Sequence, residues 1–522
     1  MSEAMDQPYG DGLDNCRGHT TETRPASVVE ALARHAERTP DKLCLRFEGE
    51  EWTYERLRER VEGFAVALRT WSLQPGDRVA LFLENCPDFL AAYLGTHLDG
   101  GVVVPVNTQY RKVELRHIFA DAGVRLCFTD AERRPELERE DFPDLEAVIE
   151  AGGELQAFLE TGGPCEPELP EGDDLAVIAF TSGTTGRSKG AMLLHRNLVA
   201  NAAAICSAWR WTAEDCLLLA LPLFHTHGLM VGAHGTFFTG ASAELHRRFG
   251  AARVYDALLE GRVTMFFGVP TMYMRLLREA EARGERPRPL RLYVSGSAPL
   301  SPQTFEEFED LFGERILERY GVTETGMNLT NPYDGEHRPG TVGRSFPGQE
   351  ARGVDIKTRE PLSAGEVGEI EVRGPHVFAG YWNRPDATEE SLDEDGWFRT
   401  GDLGSVGEDG YFTISGRLKE LIISGGYNVY PREVEEVLEG CPGVSEVAVV
   451  GVPDPEYGER VVAAVVRDAP GLTSERVADR CREHLAGYKR PRRVVFVDAV
   501  TRNALGEVLK HEVRDRLIEP EE

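Results

Sequence analysis

The segment that decides the fold is Thr181-Ser-Gly-Thr-Thr-Gly-Arg-Ser-Lys-Gly190, which follows directly on the apolar residues 175–180. Its glycines allow backbone amides to turn toward an anion, its hydroxyls can donate to phosphate oxygens, and Lys189 adds a mobile positive charge. A surface linker is the alternative, but it explains neither the apolar strand before the loop nor the lysine within it. The residue order differs from the Walker pattern, so a P-loop fold is not inferred. We therefore predict a phosphate-binding loop formed by Thr181, Ser182, Gly183, Thr184, Thr185 and Lys189.

Short apolar segments alternate with helix-like segments on both sides of this loop. Residues 78–82 and 102–105 have the composition of strands, and residues 88–98 between them have the spacing of a helix. This alternation is typical of a parallel sheet that is buried on both faces. Further strands are predicted at residues 263–269, 290–294 and 316–319. The predicted fold class is α/β.

The last third of the chain changes character twice. Residues 365–416 are rich in Gly and Asp with short alternating strands, which predicts a small β-rich subdomain. After residue 416 a unit of about a hundred residues alternates helices and strands on its own, as a separate domain does. Its predicted elements are helices at 431–438 and 474–485 and strands at 444–450, 461–467 and 493–497. We therefore predict a domain of stacked α/β sheets at 27–416 and a small α+β domain at 417–522.

Composition limits the class of protein and its partners. A chain of 522 residues exceeds the roughly 250 to 300 residues that one core supports, so two or more domains are needed. Hydrophobic types make up 41% and charged types 28%, as in a folded, loop-rich protein. The 88 Asp and Glu residues outnumber 58 Lys and Arg and give a net charge of -30. Most of the surface would repel a phosphate backbone, so nucleic acid is not an expected partner.

The sequence carries no signal for a membrane or an oxidising compartment. Its longest apolar stretch, residues 216–224, is far shorter than the roughly 20 residues that cross a bilayer. Residues 1–26 resemble neither a signal nor a transit peptide and are predicted to be a flexible tail. The nine cysteines include no CxxC pair, which argues against a disulfide framework and a zinc site. A reducing cytoplasm is expected.

Five further motifs follow the phosphate loop in order. They are Leu221-Pro-Leu-Phe-His225, Ser295-Gly-Ser-Ala298, Arg319-Tyr-Gly-Val-Thr-Glu-Thr325, Gly396-Trp-Phe-Arg-Thr-Gly-Asp402 and Gly416-Arg-Leu-Lys-Glu-Leu-Ile-Ile-Ser-Gly-Gly426. With this ordered set the sequence resembles the adenylate-forming superfamily of acyl-CoA synthetases, luciferases and adenylation domains of peptide synthetases. The resemblance extends from about residue 27 to residue 517.

The resemblance implies a reaction in which a carboxylate attacks the α-phosphate of ATP and the acyl-adenylate is passed to the thiol of CoA. Thr323 would donate to phosphate, and Glu324 would bind Mg²⁺. Asp402 would accept the ribose hydroxyls, while Arg417 would reach ribose or phosphate. The resemblance also assigns adenine to Gly296, Ser297, Ala298 and Tyr320, and CoA to Gly425 and Gly426.

Two motif residues have roles that only the resemblance supplies. For the histidines His225 and His227, a metal site lacks a third ligand and a core histidine is the usual alternative. By resemblance, His225 lines the carboxylate side of the acyl pocket. Lys419 falls at the hinge about which the small, mobile domain rotates between an adenylating and a thioester-forming pose.

Within the superfamily the sequence resembles malonyl-CoA synthetases, through Arg319-Tyr-Gly-Val-Thr-Glu-Thr-Gly-Met-Asn328 and the segments 331–335 and 340–343. In those enzymes an arginine before a phenylalanine pairs with the distal carboxylate, and here Arg248 has that position. The resemblance places Met327 on the substrate side as well. A small dicarboxylic acid such as malonate is the expected substrate, although a basic residue before Phe also occurs in relatives that use monoacids.

The chain departs from the family near its end. The family has a Gly-Lys there, whose lysine bridges the α-phosphate and the attacking carboxylate, and this chain has Glu507 after Gly506. The loss of one preorganised donor costs about 2.7 to 4 kcal/mol, so slow adenylation is expected. Lys510 lies three residues further on, but a lysine there also accompanies the usual one in family members, so it is not predicted to be a substitute. The catalytic candidates are Thr323, Glu324, His225 and Glu507.

Three hypotheses about function remain open at this point. The first is a ligase that joins a small acid to CoA or another nucleophile, with a weakened first step. The second is an ATP-dependent nitrite-activating, diazo-forming enzyme of natural-product biosynthesis. The third is a pseudoenzyme that binds nucleotide. The sequence leaves the oligomeric state open.

Overall fold

A computed structural model describes residues 24–162, 168–181, 188–467, 471–502 and 507–518. The tail predicted at residues 1–26 lies almost entirely outside these ranges. No helix within them is both long enough and apolar enough to cross a membrane.

The helices in these ranges are α1 Val28–Arg38, α2 Tyr54–Thr70, α3 Pro87–Leu98, α4 Lys112–Ala122, α5 Gly153–Glu160, α6 His195–Ala208, α7 His234–Thr239, α8 Ala251–Glu260, α9 Pro270–Arg283, α10 Pro302–Phe312, α11 Pro385–Ser391, α12 Pro431–Glu439, α13 Ser474–His484 and α14 Lys510–Ile518. The strands are β1 Leu43–Phe47, β2 Glu50–Thr53, β3 Arg78–Phe82, β4 Val102–Pro105, β5 Val124–Thr129, β6 Ala147–Glu150, β7 Leu175–Thr181, β8 Lys189–Leu194, β9 Cys216–Leu219, β10 Ser242–Leu245, β11 Met265–Gly268, β12 Leu292–Ser295, β13 Ile316–Val322, β14 Gly326–Thr330, β15 Arg344–Ser345, β16 Glu350–Val354, β17 Gly368–Arg373, β18 Phe398–Val406, β19 Phe412–Arg417, β20 Ile422–Ser424, β21 Tyr427–Val429, β22 Val444–Asp454, β23 Gly458–Arg467 and β24 Arg493–Val497.

Two mainly parallel sheets form the larger part of the molecule. One has the strand order β6-β5-β3-β4-β7-β8 and the other β15-β14-β13-β12-β11-β9-β10-β1-β2. Only the outer strands β2, β8, β14 and β15 pair antiparallel. The strands predicted at 263–269, 290–294 and 316–319 are β11, β12 and β13, and the α/β fold class is confirmed.

Two smaller sheets follow in the chain. Strands β16-β17-β18-β19 form the predicted β-rich unit, and β21-β20-β23-β22, with β24 on β23, form the last sheet. The chain passes from one sheet to the other through a single 3-10 turn, Leu418–Glu420. We call residues 418–420 the linking turn.

Helix α3 explains how the two large sheets share one core. It begins with Pro87 at its first position, where proline is preorganised for a helix. Nearly all of its residues are buried, because it packs on every side rather than along one stripe. At Gly95 it crosses α2 so closely that a Cβ would lie 2.5 Å from the Phe64 Cβ and 2.8 Å from the Val61 carbonyl oxygen. Only glycine fits this crossing.

A buried ion pair ties together the amino ends of three strands in the nine-stranded sheet. Asp215 precedes β9, Thr264 precedes β11 and Arg291 precedes β12. Arg291 donates to the two Asp215 oxygens at 2.5 and 2.7 Å, and the Thr264 hydroxyl donates at 2.9 Å. Burial raises the pKa of Asp215, but the hydrogen bonds from Arg291 and the Thr212 N–H outweigh it, so this pKa lies below its ordinary value. The ionised form therefore stabilises the fold.

Asp215→Asn should lower the free energy of unfolding by about 3 kcal/mol, because it leaves the buried Arg291 charge without its partner. The stabilisation should be present above the unfolded pKa of about 3.9 and be lost as pH falls through the lower folded pKa. Denaturant titrations at pH 7 and at acidic pH measure both effects. As a control, Glu260→Gln breaks the exposed pair with Arg262 and should cost at most about 1 kcal/mol. Equal losses of unfolding free energy in the two variants would contradict a special stabilising role of the Asp215–Arg291 pair.

Candidate active site

A cavity of ≈ 2530 Å³ lies at the carboxyl edge of both parallel sheets. Its lining includes Thr181 at the end of β7, Val269 after β11, Ser297 after β12 and Thr323 after β13. Residues 416–422, which contain the linking turn, form another wall. The carboxyl edge of an α/β sheet is where such folds bind ligands, since side chains after several strands meet there. The motifs of the sequence therefore converge on one cleft.

Glu324 is held firmly in the turn between β13 and β14. Its Oε1 accepts a 2.7 Å hydrogen bond from the Tyr381 hydroxyl, and its carbonyl accepts the Phe378 N–H at 2.9 Å. Burial raises the pKa of Glu324, and the Tyr381 hydrogen bond partly offsets the increase. A bound cation would favour the ionised carboxylate and reverse the shift. A hard oxygen ligand in this setting fits Mg²⁺.

The lysine of the predicted phosphate loop is connected to this carboxylate. Lys189 Nζ lies 4.5 Å from the centre of the Tyr381 ring, within cation–π range. Among the described residues no three His, Cys, Asp or Glu side chains form a group that could hold a metal alone. A magnesium ion at Glu324 would therefore complete its coordination with phosphate oxygens and water, as Mg²⁺ usually does.

Asp402 and Arg417 face each other across two neighbouring strands. They are paired in the register of β18 and β19, and Arg417 Nε lies 3.4 Å from Asp402 Oδ1. The Tyr320 hydroxyl donates to Asp402 Oδ2 at 2.5 Å. Burial raises the pKa of Asp402, and the Arg417 charge and the Tyr320 hydrogen bond oppose the increase. Asp402, Arg417 and Tyr320 thus form one connected group, whereas the predicted adenine residue Ser297 contacts Arg319 instead.

A second group of buried polar side chains surrounds Arg319. Arg319 Nη2 donates to Ser297 Oγ at 3.3 Å, and Ser297 Oγ lies 3.5 Å from His227 Nδ1. The His227 N–H donates to His225 Nδ1 at 3.3 Å. Burial, and then the Arg319 charge, lower the pKa of His225 to about 4. His225 is therefore a neutral side chain at pH 7.

The positive charge of Arg319 is unusual in its surroundings. Only 2% of the residue is exposed, its Nε has no hydrogen-bond partner, and no carboxylate in the described part of the chain pairs with it. Burial lowers its pKa to about 9. Gly296 makes room for it, because a Cβ there would lie 2.5 Å from the Arg319 Cζ. Since a buried charge without a partner is costly, this guanidinium fits an anionic ligand group.

Sequence reasoning missed Arg319 and Tyr381 as site residues. In the sequence, Arg319 is the first residue of a motif to which no role was assigned. The feature that could have indicated a role is its position as a charged residue inside the apolar strand that becomes β13. Tyr381 lies in a loop between β17 and α11, where sequence does not distinguish a ligand residue from a packing residue.

The structure locates the other predicted residues as follows. Thr181, Lys189, Thr323, Met327 and Glu507 line the cavity. Gly425 and Gly426 lie in the turn between β20 and β21, with φ of 58° and 82°, and do not line it. Ser182, Gly183, Thr184 and Thr185 lie outside the described residues.

The prediction for Arg248 is not met by its position. Its side chain is 76% exposed, it lies 3.8 Å from Glu84, and it is not part of the cavity wall. A carboxylate bound there would stay in contact with water, so Arg248 does not provide the buried, bidentate partner that was expected of it. Arg319 is the arginine that the fold buries.

Comparisons with known proteins cover most of the chain. Residues 32–382 match the family model described as AMP-binding enzyme, and residues 433–507 match the AMP-binding enzyme C-terminal domain. A feruloyl-CoA synthase from Amycolatopsis sp. is 37% identical over 492 residues, which cover 92% of this chain and 97% of the relative.

A malonate–CoA ligase from Arabidopsis thaliana is 32% identical over 551 residues, which cover 94% of this chain and 88% of the relative. The crystal structure of ATP-bound MatB from Rhodopseudomonas palustris is similar with a TM-score of 0.89 at 39% identity. That similarity covers 94% of this chain and 99% of MatB.

Glu324→Gln should weaken ATP binding in excess Mg²⁺ by about ten- to a hundredfold, because it removes one charged contact to the metal. Affinity without Mg²⁺ should change much less. Calorimetry of the variant and the wild type, each with and without Mg²⁺, measures the difference. The exposed Glu366→Gln serves as a charge-matched control. Equal Mg²⁺ dependence in wild type and Glu324→Gln would remove Glu324 from the site.

Proposed function

The chain belongs to the AMP-binding enzyme family, and on this basis we propose that it activates malonate, or a closely related small dicarboxylic acid, and joins it to CoA. The coarser activity follows from the family and the relatives: the chain is an ATP-dependent, AMP-forming acid–CoA ligase that uses ATP, Mg²⁺ and CoA. The identity of the acid is the proposal.

The proposal assigns the two polar groups of the cleft to the two ends of the reaction. Glu324 and Lys189 would face the phosphates, and Asp402 would accept hydrogen bonds from the ribose hydroxyls. Mg²⁺ at Glu324 would neutralise part of the triphosphate charge. Neutral His225 would lie beside the acid, where it can hydrogen-bond a carboxylate without attracting a second anion.

The observation that carries the choice of acid is the unpaired, buried Arg319 guanidinium. A monoacid uses its only carboxylate for the attack on phosphorus and leaves this charge uncompensated. A dicarboxylic acid has a second carboxylate, which can take the bidentate contact that an arginine fork offers. Ser297 and Met327 line the same cavity and offer a polar and an apolar side chain. Similarity to a malonate–CoA ligase supports this choice, and similarity to a feruloyl-CoA synthase makes the test necessary.

Arg319→Met should lower kcat/KM for malonate by about a hundredfold or more, since it leaves the distal carboxylate buried without a cation. Activity with acetate or propionate should be kept or should rise, because the unpaired charge is gone. Pyrophosphate release in the presence of CoA measures both. The exposed Arg248→Met is the matched control and should change the rate with malonate by less than about threefold.

Three outcomes would contradict the proposal. Parallel loss of malonate and monoacid activity would make Arg319 structural, and selective loss in Arg248→Met would return the carboxylate site to Arg248. Pyrophosphate release with nitrite and an aryl amine, and not with any acid, would favour the diazo-forming hypothesis.

A further inference from the structure

Glu507 brings a carboxylate into the cavity where phosphate charge has to be neutralised. It lines the wall together with Asp402 and Arg417. The Asp402 charge, opposed by burial and assisted by Glu507, holds the pKa of Arg417 above its ordinary value. The Arg417 guanidinium thus faces two carboxylates before a phosphate arrives, which weakens the attraction it can offer. Adenylation needs another cation in this part of the cleft.

Lys510, three residues after Glu507, also lines the cavity, but two carboxylates bind its ammonium group. Its Nζ lies 2.8 Å from Glu435 Oε1 and 3.3 Å from Glu420 Oε2, and 15% of the side chain is exposed. Glu435 is buried and accepts the Val449 N–H at 2.8 Å. Moving Lys510 to a phosphate would leave this buried carboxylate without a cation, which is costly. Lys510 therefore links the linking turn to the last domain and is not available to ATP.

Lys419 occupies a different position, in the linking turn itself. Its side chain lines the same cavity as Lys189 and Glu324. Burial, and then the charges of Lys189 and Arg417, lower its pKa, while Glu390 and Glu324 act in the opposite direction. The Lys419 ammonium group therefore lies close enough to these charges to be affected by them.

Three cationic side chains line this cavity. Lys189 comes from β8, Arg417 from the end of β19 and Lys419 from the linking turn. After burial, the charges of Lys189 and Arg417 lower the pKa of Lys419, so an anion bound among these cations would relieve that repulsion. The phosphate chain of ATP is such an anion.

We propose that Lys419, instead of residue 507, is the catalytic residue that supplies positive charge to the phosphates of ATP during adenylation in this protein. In that step a carboxylate oxygen of the acid forms a bond to the α-phosphorus. The bond from the α-phosphorus to the oxygen that bridges it to the β-phosphorus breaks, and pyrophosphate leaves with the electron pair. Lys419 stabilises the negative charge that grows on the phosphate oxygens. The proposal rests on the ligase activity and not on which acid is used.

The experiment compares Lys419→Gln, which removes the charge, with Lys419→Arg, which keeps it. Lys419→Gln should lower pyrophosphate release by about a hundredfold and weaken calorimetric binding of magnesium α,β-methylene-ATP by about tenfold. Lys419→Arg should recover most of the loss seen in Lys419→Gln, because it keeps the charge, and only the exposed Lys357→Gln should stay near the wild type. Thioester formation from a preformed acyl-adenylate and CoA should be nearly unchanged in all variants, because that step no longer involves a triphosphate.

Glu507→Lys supplies the second, independent readout. If a lysine at either position can do the work, Lys419→Gln should cost less than about tenfold in the Glu507→Lys background, against about a hundredfold in the wild type. A purely hinge-forming role for Lys419 would lower both half-reactions together and would not be rescued by Glu507→Lys, and that result would overturn the proposal. Normal nucleotide binding by Lys419→Gln would also overturn it. A protein that releases no pyrophosphate with any acid would refute the proposed function, while the binding comparison would still test Lys419.

Discussion

Parallel pairing of β11, β12 and β13 brings the carboxyl ends of three strands to the same edge, so the residues that follow them must face one cavity. This constraint places Ser297, after β12, and Thr323, after β13, on the wall of the same cavity. Chain turns at that edge are short, and they leave little freedom to move a charged side chain back into water. The site is therefore a direct consequence of sheet topology.

Burying charged groups in this cavity destabilises their charged forms, and the direction of each pKa shift shows it. Burial raises the pKa of the acids Glu324 and Asp402 and lowers that of the bases His225 and Arg319. Each shift opposes the charged form, so each group gains stability when a ligand brings the opposite charge. The nucleotide side calls for a cation and the acyl side for an anion. At the other end of the same strands, the Asp215–Arg291 ion pair stabilises the sheet that holds these buried charges.

Much of this architecture could be predicted from sequence, because it depends on local patterns. The helix expected at 88–98 is α3, and the strand expected at 493–497 has those bounds in the structure. The nucleotide side was also legible, since Glu324, Asp402 and Arg417 stand in contiguous motifs. The acyl side was not, because its geometry is decided by which arginine the fold buries. Arg319 and Arg248 are the same residue type, so their sequence does not tell which one is buried. The structure does, because Arg319 packs against Gly296. The ion pairs of Lys510 could not be predicted either, since its partners Glu435 and Glu420 are distant in sequence.

The proposed use of Lys419 instead of residue 507 would have a mechanical consequence. Residue 507 belongs to the last domain, and a rotation of that domain about the linking turn would carry it far from the cleft, because displacement grows with distance from the pivot. Lys419 lies at the pivot, so the same rotation moves it by much less. A phosphate-binding charge on the rotating domain ties adenylation to a single pose. A charge at the pivot would make adenylation depend less on a single pose. The group that leaves the cleft when the domain turns would then be the Glu507 carboxylate and not an ammonium group. With such a rotation, the Glu507 carboxylate would repel a bound triphosphate, and this repulsion would favour the pose in which residue 507 has left the cleft.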